Sequence, residues 1–251
     1  GKALPNLALR DLNVATMQDW IDLRLKQGVV GATINHNIGL VSGMLKWLRH
    51  NRHLNVDLDI TKHARASLTA AKIPTTSQKR DRYITDHEIQ LMHEAFEGQL
   101  KLKLPMGDLM DFALATGMRL GEICRITHED LKHNEGTVVI RDRKDPKRKQ
   151  GNHMTVPLSS TARSIIQKQP TKVGRIFPFR PNSVSTAWIA GCKAAMIEDC
   201  TFDDLRHRAI TDLFAKGLTI QQVSLISGHK TWKMLARYTQ TQPQSIVELL
   251  G

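Results

Sequence analysis

The chain has 251 residues, with 36 Lys and Arg against 24 Asp and Glu, which gives a formal net charge of +12 when histidines are counted as neutral. This length suits one large domain or two small ones and can bury a substantial core. Hydrophobic residues make up 41% and charged residues 24%, a composition that excludes general disorder. No apolar run approaches the roughly 20 residues that span a bilayer. The basic excess alone indicates a polyanionic partner, either a nucleic acid or an acidic membrane surface.

The cysteines and the sequence motifs indicate the redox setting of the protein and whether it needs a metal or a cofactor. The three cysteines, Cys124, Cys192 and Cys200, cannot all pair and lack CxxC spacing, which predicts a reduced, cytoplasmic protein. Zinc, calcium, Walker and dinucleotide-binding motifs are absent, so we predict neither a metal nor a cofactor. The chain begins at Gly1 rather than Met, and we interpret this as the loss of an N-terminal piece.

Residues 1–74 are predicted to be all-helical, with helices that begin near Thr16, Thr33 and His63. In the second helix apolar residues recur every three or four positions and make one buried stripe. The segment has ten basic and five acidic residues, which suits contact with a phosphate backbone. Pro74 opposes a further helix, and the polar residues 75–82 are predicted to be a linker.

Residues 83–251 are predicted to form a mainly helical unit with a small antiparallel β-sheet, so the fold class of the chain is mainly α with a minor β component. Capping boxes that start at Thr85, Thr201 and Thr219 indicate three helix beginnings. Residues 136–140 and 154–157 are predicted strands. Between them, residues 141–150 hold six basic and two acidic side chains.

Four short motifs stand in a fixed order along this unit. Arg119 lies in Ala-Thr-Gly-Met-Arg-Leu-Gly-Glu, Arg206 in Asp-Asp-Leu-Arg-His, and His229 ends Ser-Gly-His, nine residues before Tyr238. The fourth motif is the basic turn with its two flanking strands, and this element ends in Val-Pro-Leu. In this order and spacing the chain resembles the tyrosine recombinase (phage integrase) family over nearly its whole length. Singly, these residues suit a surface arginine, a core tyrosine or a solvated loop, but jointly such coincidences are improbable.

The residue types fit phosphodiester chemistry. Two guanidinium groups, from Arg119 and Arg206, can hold the nonbridging oxygens of a phosphate bidentately. Such preorganised donors usually contribute most to stabilising a transition state. A tyrosine hydroxyl, that of Tyr238, can attack phosphorus and form a covalent 3′-phosphotyrosyl intermediate. Because that intermediate conserves the bond energy, strand rejoining would need neither ATP nor metal.

The resemblance implies three further catalytic residues. His229 would hydrogen-bond the scissile phosphate. A lysine of the basic turn would protonate the departing 5′ oxygen, with Lys144 as the best match and Lys147 and Lys149 as rivals. The family usually has a histidine three residues before the second arginine, and this chain has Asp203 there. Asp203 is therefore the candidate base, although it adds negative charge near the phosphate; the histidine that follows Arg206 does not replace it by position.

The resemblance also implies how the chain would engage DNA. Residues 1–74 would be an all-helical, SAM-like core-binding domain, and residues 83–251 an α+β catalytic domain, which together clamp a duplex. The candidate DNA-binding residues are Arg141, Arg143, Lys147, Arg148, Lys149 and His36. Four protomers would act on paired sites through a Holliday junction, with DNA-bending accessory proteins as further partners. The expected setting is a bacterial cytoplasm, at the nucleoid, in a phage or mobile element. The absent N-terminal piece would be an arm-binding domain.

Other interpretations remain open at this stage. Residues 217–228 resemble a helix-turn-helix, which would suit a DNA-binding regulator without enzymatic activity. A type IB topoisomerase shares the tyrosine chemistry but lacks site specificity. A recombinase weakened by Asp203 would bind DNA and cleave it poorly. The apolar positions after Tyr238 suit packing on their own domain or docking on a neighbouring protomer equally.

Overall fold

The structure, a computed structural model, describes residues 7–77, 80, 82–98, 104–144 and 150–239. Two compact units divide the chain between Arg80 and Asp81, within the predicted linker 75–82. Helices dominate, and one three-stranded antiparallel sheet accompanies them, so the predicted fold class is confirmed. Within the ranges given above, no helix has the length and apolar character needed to cross a bilayer.

The described residues of the first unit form a 3-10 turn at Leu9–Asp11 and three α-helices, α1 at Val14–Lys26, α2 at Gly31–Asn51 and α3 at Ile60–Ala70. Their apolar faces meet in one core, which includes the fully buried Met17, Ile34, Ile38 and Leu68. The predicted start of α1 was wrong by two residues. Asn13 is the cap, and Thr16 is the third helical residue, whose side chain accepts a hydrogen bond from the Asn13 backbone N–H. The pair forms a capping box, in which Thr16 is the third helical residue rather than the cap.

The second unit contains eight α-helices in its described residues and the sheet. The helices are α4 at Asp86–Glu97, α5 at Met106–Thr116, α6 at Leu120–Ile123, α7 at Ser160–Lys168, α8 at Pro181–Ala194, α9 at Phe202–Ala215, α10 at Ile220–Ser227 and α11 at Trp232–Leu235, and a 3-10 turn at Ala236–Tyr238 follows. The strands are β1 at Leu131–Lys132, β2 at Thr137–Ile140 and β3 at Met154–Pro157. They lie in the order β1-β2-β3, with Val138 opposite Val156. The short β1 was not predicted.

Local sequence signals explain where several of these helices begin and end. The capping boxes predicted at Thr85, Thr201 and Thr219 are all present, each with both reciprocal hydrogen bonds. Gly228 ends α10 at φ +72°, in the left-handed region that glycine adopts without steric cost. The chain can therefore turn sharply between α10 and His229.

The core of the second unit centres on aromatic side chains between α4, α8 and α9. The Trp188 ring lies 6.1 Å from that of Phe96 and 5.3 Å from that of Phe202, measured between centroids. A smaller cluster of buried residues, formed by Ile210, Val223 and Leu235, lies apart from this core and holds α11 against α9 and α10. The long α5 and α9 pack together, which brings the residues after α5 next to the middle of α9.

Candidate active site

Arg119 lies directly after the turn that ends α5, at the first position before α6. Its backbone N–H donates to Glu122 Oε2 at 3.2 Å, and its Nη1 donates to Glu122 Oε1 at 3.1 Å. The Arg119 side chain is 25% exposed, whereas the Glu122 side chain is 2% exposed. The buried carboxylate therefore fixes the guanidinium in one place and leaves part of it accessible to a ligand.

Arg206 projects from α9 into the interior of the unit, where its side chain is buried. Nη1 donates to the Gly117 carbonyl and Nη2 to the Ser227 carbonyl, both at 2.6 Å. Burial and the positive charge of Arg119 lower the pKa of Arg206 to about 10, so it remains a cation at neutral pH. Arg206 thus links the ends of α5 and α10.

His229 follows Gly228 and is also buried. Its Nδ1 lies 2.8 Å from Ser227 Oγ, and its carbonyl accepts a hydrogen bond from Ser224 Oγ. Burial lowers the pKa of His229 to about 3, with further lowering from the positive charges of Arg206, Arg119 and Arg143. The ring is consequently neutral at physiological pH although three guanidiniums surround it.

Tyr238 lies on the 3-10 turn after α11 and meets two histidine rings. Its hydroxyl is 2.5 Å from His207 Nδ1, and the two rings stack with centroids 5.8 Å apart. The His229 ring lies 6.2 Å from the Tyr238 ring, and the Arg237 guanidinium lies 5.6 Å from the tyrosine ring centre. The fold therefore brings together Tyr238, His229 and the two predicted arginines, and it adds His207.

Arg143 was predicted to bind DNA from the basic turn, and its burial does not fit that prediction. Its side chain is 1% exposed, with Nε 3.3 Å from Glu122 Oε1 and Nη2 2.9 Å from the Ile226 carbonyl. Nη1 is buried and has no hydrogen-bond partner among the described residues. We therefore do not retain Arg143 among the proposed contacts with the DNA backbone, because Glu122 and the Ile226 carbonyl engage its Nε and Nη2 inside the unit.

The remaining predicted site residues are exposed where the structure describes them. Lys144 is exposed where the chain leaves β2, and Arg141 is exposed and pairs with the buried Asp130. Asp203 is exposed in the first turn of α9, and His36 is exposed on α2 of the first unit. Lys147, Arg148 and Lys149 lie outside the described residues.

Sequence reasoning did not predict that His207 contacts Tyr238. Asp203 and His207 are four residues apart on α9, and such residues share one helix face. That spacing, together with the placement of Arg206 between them, was the available signal that His207 lies close to the site. The contact with Tyr238 itself joins positions that are 31 residues apart.

The assembled groups suit an anionic ligand that is attacked by an oxygen nucleophile. Cationic Arg119 and Arg206 can stabilise negative charge, and the neutral His229 can donate one hydrogen bond. Tyr238 supplies a hydroxyl with a nitrogen base in contact with it. Among the residues that the structure describes, no group of three His, Cys, Asp or Glu side chains could hold a metal ion.

Comparison with known proteins establishes the family. The family model described as "Phage integrase family" matches residues 82–245. The chain therefore belongs to the phage integrase family, as the four motifs predicted. The shufflon-specific DNA recombinase of Escherichia coli is 30% identical over 97% of this chain and 62% of its own length. The integrase of Salmonella phage P22 is 27% identical over 70% of this chain and 48% of its own length. The chain thus spans less than two thirds of either relative.

Solved structures share the fold. A lambda integrase dimer bound to a COC′ core site matches with a TM-score of 0.67 and 18% identity, covering 96% of this chain and 84% of that one. The Tn1549 transposon integrase in complex with circular intermediate DNA matches with a TM-score of 0.60 and 13% identity, covering 100% and 88%. Both matches extend across the helical unit as well as the unit that holds Tyr238.

Proposed function

We propose that this chain is a site-specific DNA recombinase that cleaves and rejoins DNA strands through a covalent 3′-phosphotyrosyl intermediate, without ATP or metal. The observation that carries the proposal is that the Tyr238 ring lies 6.2 Å from the ring of His229, whose pKa is lowered by the nearby cations Arg206 and Arg119. The nucleophile therefore lies in the same cluster of side chains as a hydrogen-bond donor and two charge-stabilising groups.

In the cleavage step the Tyr238 oxygen attacks the scissile phosphorus. The Oη–P bond forms, the bond from phosphorus to the 5′ oxygen breaks, and the tyrosine remains linked to the 3′ phosphate. Negative charge that gathers on the nonbridging oxygens is stabilised by Arg119 and Arg206, whose guanidiniums are fixed by Glu122 and by two backbone carbonyls. Rejoining is the same step in reverse, with a free 5′ hydroxyl as the nucleophile.

His229 acts as a neutral hydrogen-bond donor in this scheme. Its contact with Ser227 Oγ suits a hydroxyl that donates to Nδ1, which leaves the ring proton on Nε2. A pKa of about 3 keeps the ring neutral, so Nε2–H is available to a phosphate oxygen without a proton being lost.

Lys144 is the proposed donor of the proton that the departing 5′ oxygen takes up. It is exposed four residues after the end of β2, and its neighbour Arg143 is anchored in the interior by Glu122. A fixed backbone at position 143 limits how far the ammonium group of Lys144 can range. That restriction is what a general acid needs in order to meet a bound phosphate.

The proposed ligand is duplex DNA, which each of the two units would contact. His36 on α2 and the exposed turn residue Arg141, together with Lys147, Arg148 and Lys149, are the proposed phosphate contacts, so binding should weaken steeply with salt. Homotetramers on paired sites are the proposed active species, because the related lambda integrase fold has been solved as a tetramer bound to a Holliday junction. DNA-bending accessory proteins, the bacterial nucleoid and a phage or other mobile element complete the proposed setting.

The rival interpretations account for less of the site. In the helix-turn-helix-like segment, Ser227 is buried and its carbonyl accepts from Arg206, so the end of α10 belongs to the catalytic cluster. A regulator would not need that arrangement. A type IB topoisomerase would not need the helical unit of this kind, and the match to lambda integrase covers 96% of the chain.

A covalent-capture experiment tests the proposal. The protein is incubated with a pool of nicked suicide duplexes that carry a randomised segment, and SDS-stable adducts are recovered and sequenced to define the site. Tyr238→Phe should form no adduct, because it lacks the attacking hydroxyl. Tyr83→Phe, which alters the other of the two tyrosines in the chain, is the matched control and should form the adduct normally. Absence of any adduct with the unmodified protein, or an adduct that survives in Tyr238→Phe, would overturn the proposal.

A further inference from the structure

His207 holds a position that the predicted catalytic set does not use. It follows Arg206 on α9, and its Nδ1 lies 2.5 Å from the Tyr238 hydroxyl, in a geometry where the two rings stack at an interplanar angle of 29°. The reacting oxygen of the proposed nucleophile is therefore already in hydrogen-bond contact with an imidazole nitrogen. A general base must have this reach to the proton that it removes.

The surroundings of His207 keep its ring neutral and ready to accept a proton. Burial and the positive charge of Arg237 lower the pKa of His207, and Arg206 adds to this, whereas Asp203 and Asp204 act in the opposite direction. Among the described residues, the Tyr238 hydroxyl and the neutral His229 ring also lie near His207. At neutral pH the Nδ1 lone pair is consequently free to accept the hydrogen bond that the Tyr238 hydroxyl donates.

We propose that His207 is the catalytic base for Tyr238. We also propose that the Asp203 carboxylate, on the same face of α9, stabilises the positive charge that His207 gains when it takes up the proton. This inference rests on the recombinase function proposed above. During attack the Oη–H bond breaks, its proton moves to His207 Nδ1, the Oη–P bond forms, and the 5′ oxygen leaves with a proton from Lys144. In the rejoining step His207 returns its proton to the tyrosine oxygen.

Asp203 suits the base role less well than His207. It is exposed in the first turn of α9, whereas the tyrosine hydroxyl is bonded to the imidazole. Ordinary pKa values are about 3.9 for Asp, 6.5 for His and 10 for Tyr, so imidazole is the stronger base toward a phenol. A carboxylate beside the ring stabilises the imidazolium that forms as the proton arrives. Asp203 is therefore a positioning residue in this scheme.

The test uses the suicide duplex recovered by covalent capture and measures the rate of adduct formation. His207→Ala should slow the reaction by about 100-fold or more. Added imidazole should restore part of the rate, because it can occupy the vacated space and accept the proton. His207→Asn keeps a hydrogen-bond acceptor near the Nδ1 position without basicity, so it should remain slow and should respond little to imidazole. Duplex binding by each variant, measured by fluorescence anisotropy, verifies that the fold is intact.

The pH profile separates the roles of His207 and Asp203. The unmodified protein should lose activity on the acid side as His207 becomes protonated. In Asp203→Asn that limb should move to lower pH, because the carboxylate no longer raises the pKa of His207. His207→Ala or His207→Asn reacting within threefold of the unmodified protein would overturn the inference while leaving the recombinase proposal intact. Failure of the unmodified protein to form any adduct would instead overturn the recombinase proposal.

Discussion

Glu122 and Arg143 form an ion pair that is shielded from solvent, with side chains 2% and 1% exposed. Arg143 Nε lies 3.3 Å from Oε1 and Nη2 lies 3.4 Å from Oε2. Burial alone would raise the pKa of Glu122, but the charges of Arg143, Arg119 and Arg206 more than offset this and hold it below its usual value. One carboxylate therefore fixes both the arginine proposed to bind phosphate and the strand end that leads to Lys144.

Arg143→Met should destabilise the protein by about 3–5 kcal/mol, since it leaves the buried Glu122 carboxylate with one partner fewer. Chemical unfolding at neutral pH measures the change in the free energy of unfolding. Arg125→Met is the matched control, because Arg125 is exposed and donates to one backbone carbonyl of its own helical turn. Equal effects of the two substitutions would show that the buried pair does not stabilise the fold.

Gly228→Ala should destabilise the protein more than Gly217→Ala. Both glycines have positive φ, +72° and +81°, so each substitution costs about 1–2 kcal/mol of backbone strain. A Cβ at Gly228 would in addition lie 2.5 Å from Arg143 Nε, whereas a Cβ at Gly217 would meet no atom within 4 Å. Thermal unfolding of the two variants compares the costs, and an equal loss would contradict the close approach of Arg143.

His229 should make stability depend on pH. Its pKa is about 3 in the folded chain, against about 6.5 when unfolded, so the unfolded chain binds more protons between these values. The contribution of His229 to the free energy of unfolding is therefore fully present above about pH 6.5. It falls as the pH is lowered, by at most about 1.4 kcal/mol per pH unit. The loss of unfolding free energy between pH 7 and pH 5 should be smaller in His229→Gln. An identical pH dependence in the variant would contradict a buried, neutral ring.

Lys144→Ala should slow strand cleavage by about 100-fold or more, because the departing 5′ oxygen then lacks its proton donor. A substrate with sulfur in place of that oxygen leaves without a proton and should be cleaved by the variant at close to the unmodified rate. Lys147→Ala and Lys149→Ala serve as controls. If one of them shows the sulfur-specific rescue and Lys144→Ala does not, the acid has been assigned to the wrong lysine.

Sequence reasoning performed best where the signal was local. The capping boxes at Thr85, Thr201 and Thr219 each need four consecutive residues, and all three helices begin where predicted. The motif order from Arg119 to Tyr238 likewise predicted the family that the comparisons establish.

Local sequence signals could not predict which side chain of the basic segment is buried. Arg143 is enclosed because residues of α6 and α10, 21 and 83 positions away in the chain, supply its partners. Its neighbour Arg141, two residues earlier in the same basic segment, remains exposed. The two arginines contribute equally to the composition of the segment, and only the tertiary packing makes one buried and the other exposed.

The segment that carries Tyr238 is attached through the small cluster of Ile210, Val223 and Leu235 rather than through the main core of its unit. The free energy of a local opening depends on the apolar surface that the opening exposes, and this cluster is small. Amide protons of α11 should therefore exchange with solvent at a lower free energy than those of α5, which lies in the main core. Opening of this cluster would therefore displace the nucleophile at a lower free energy than unfolding of the main core.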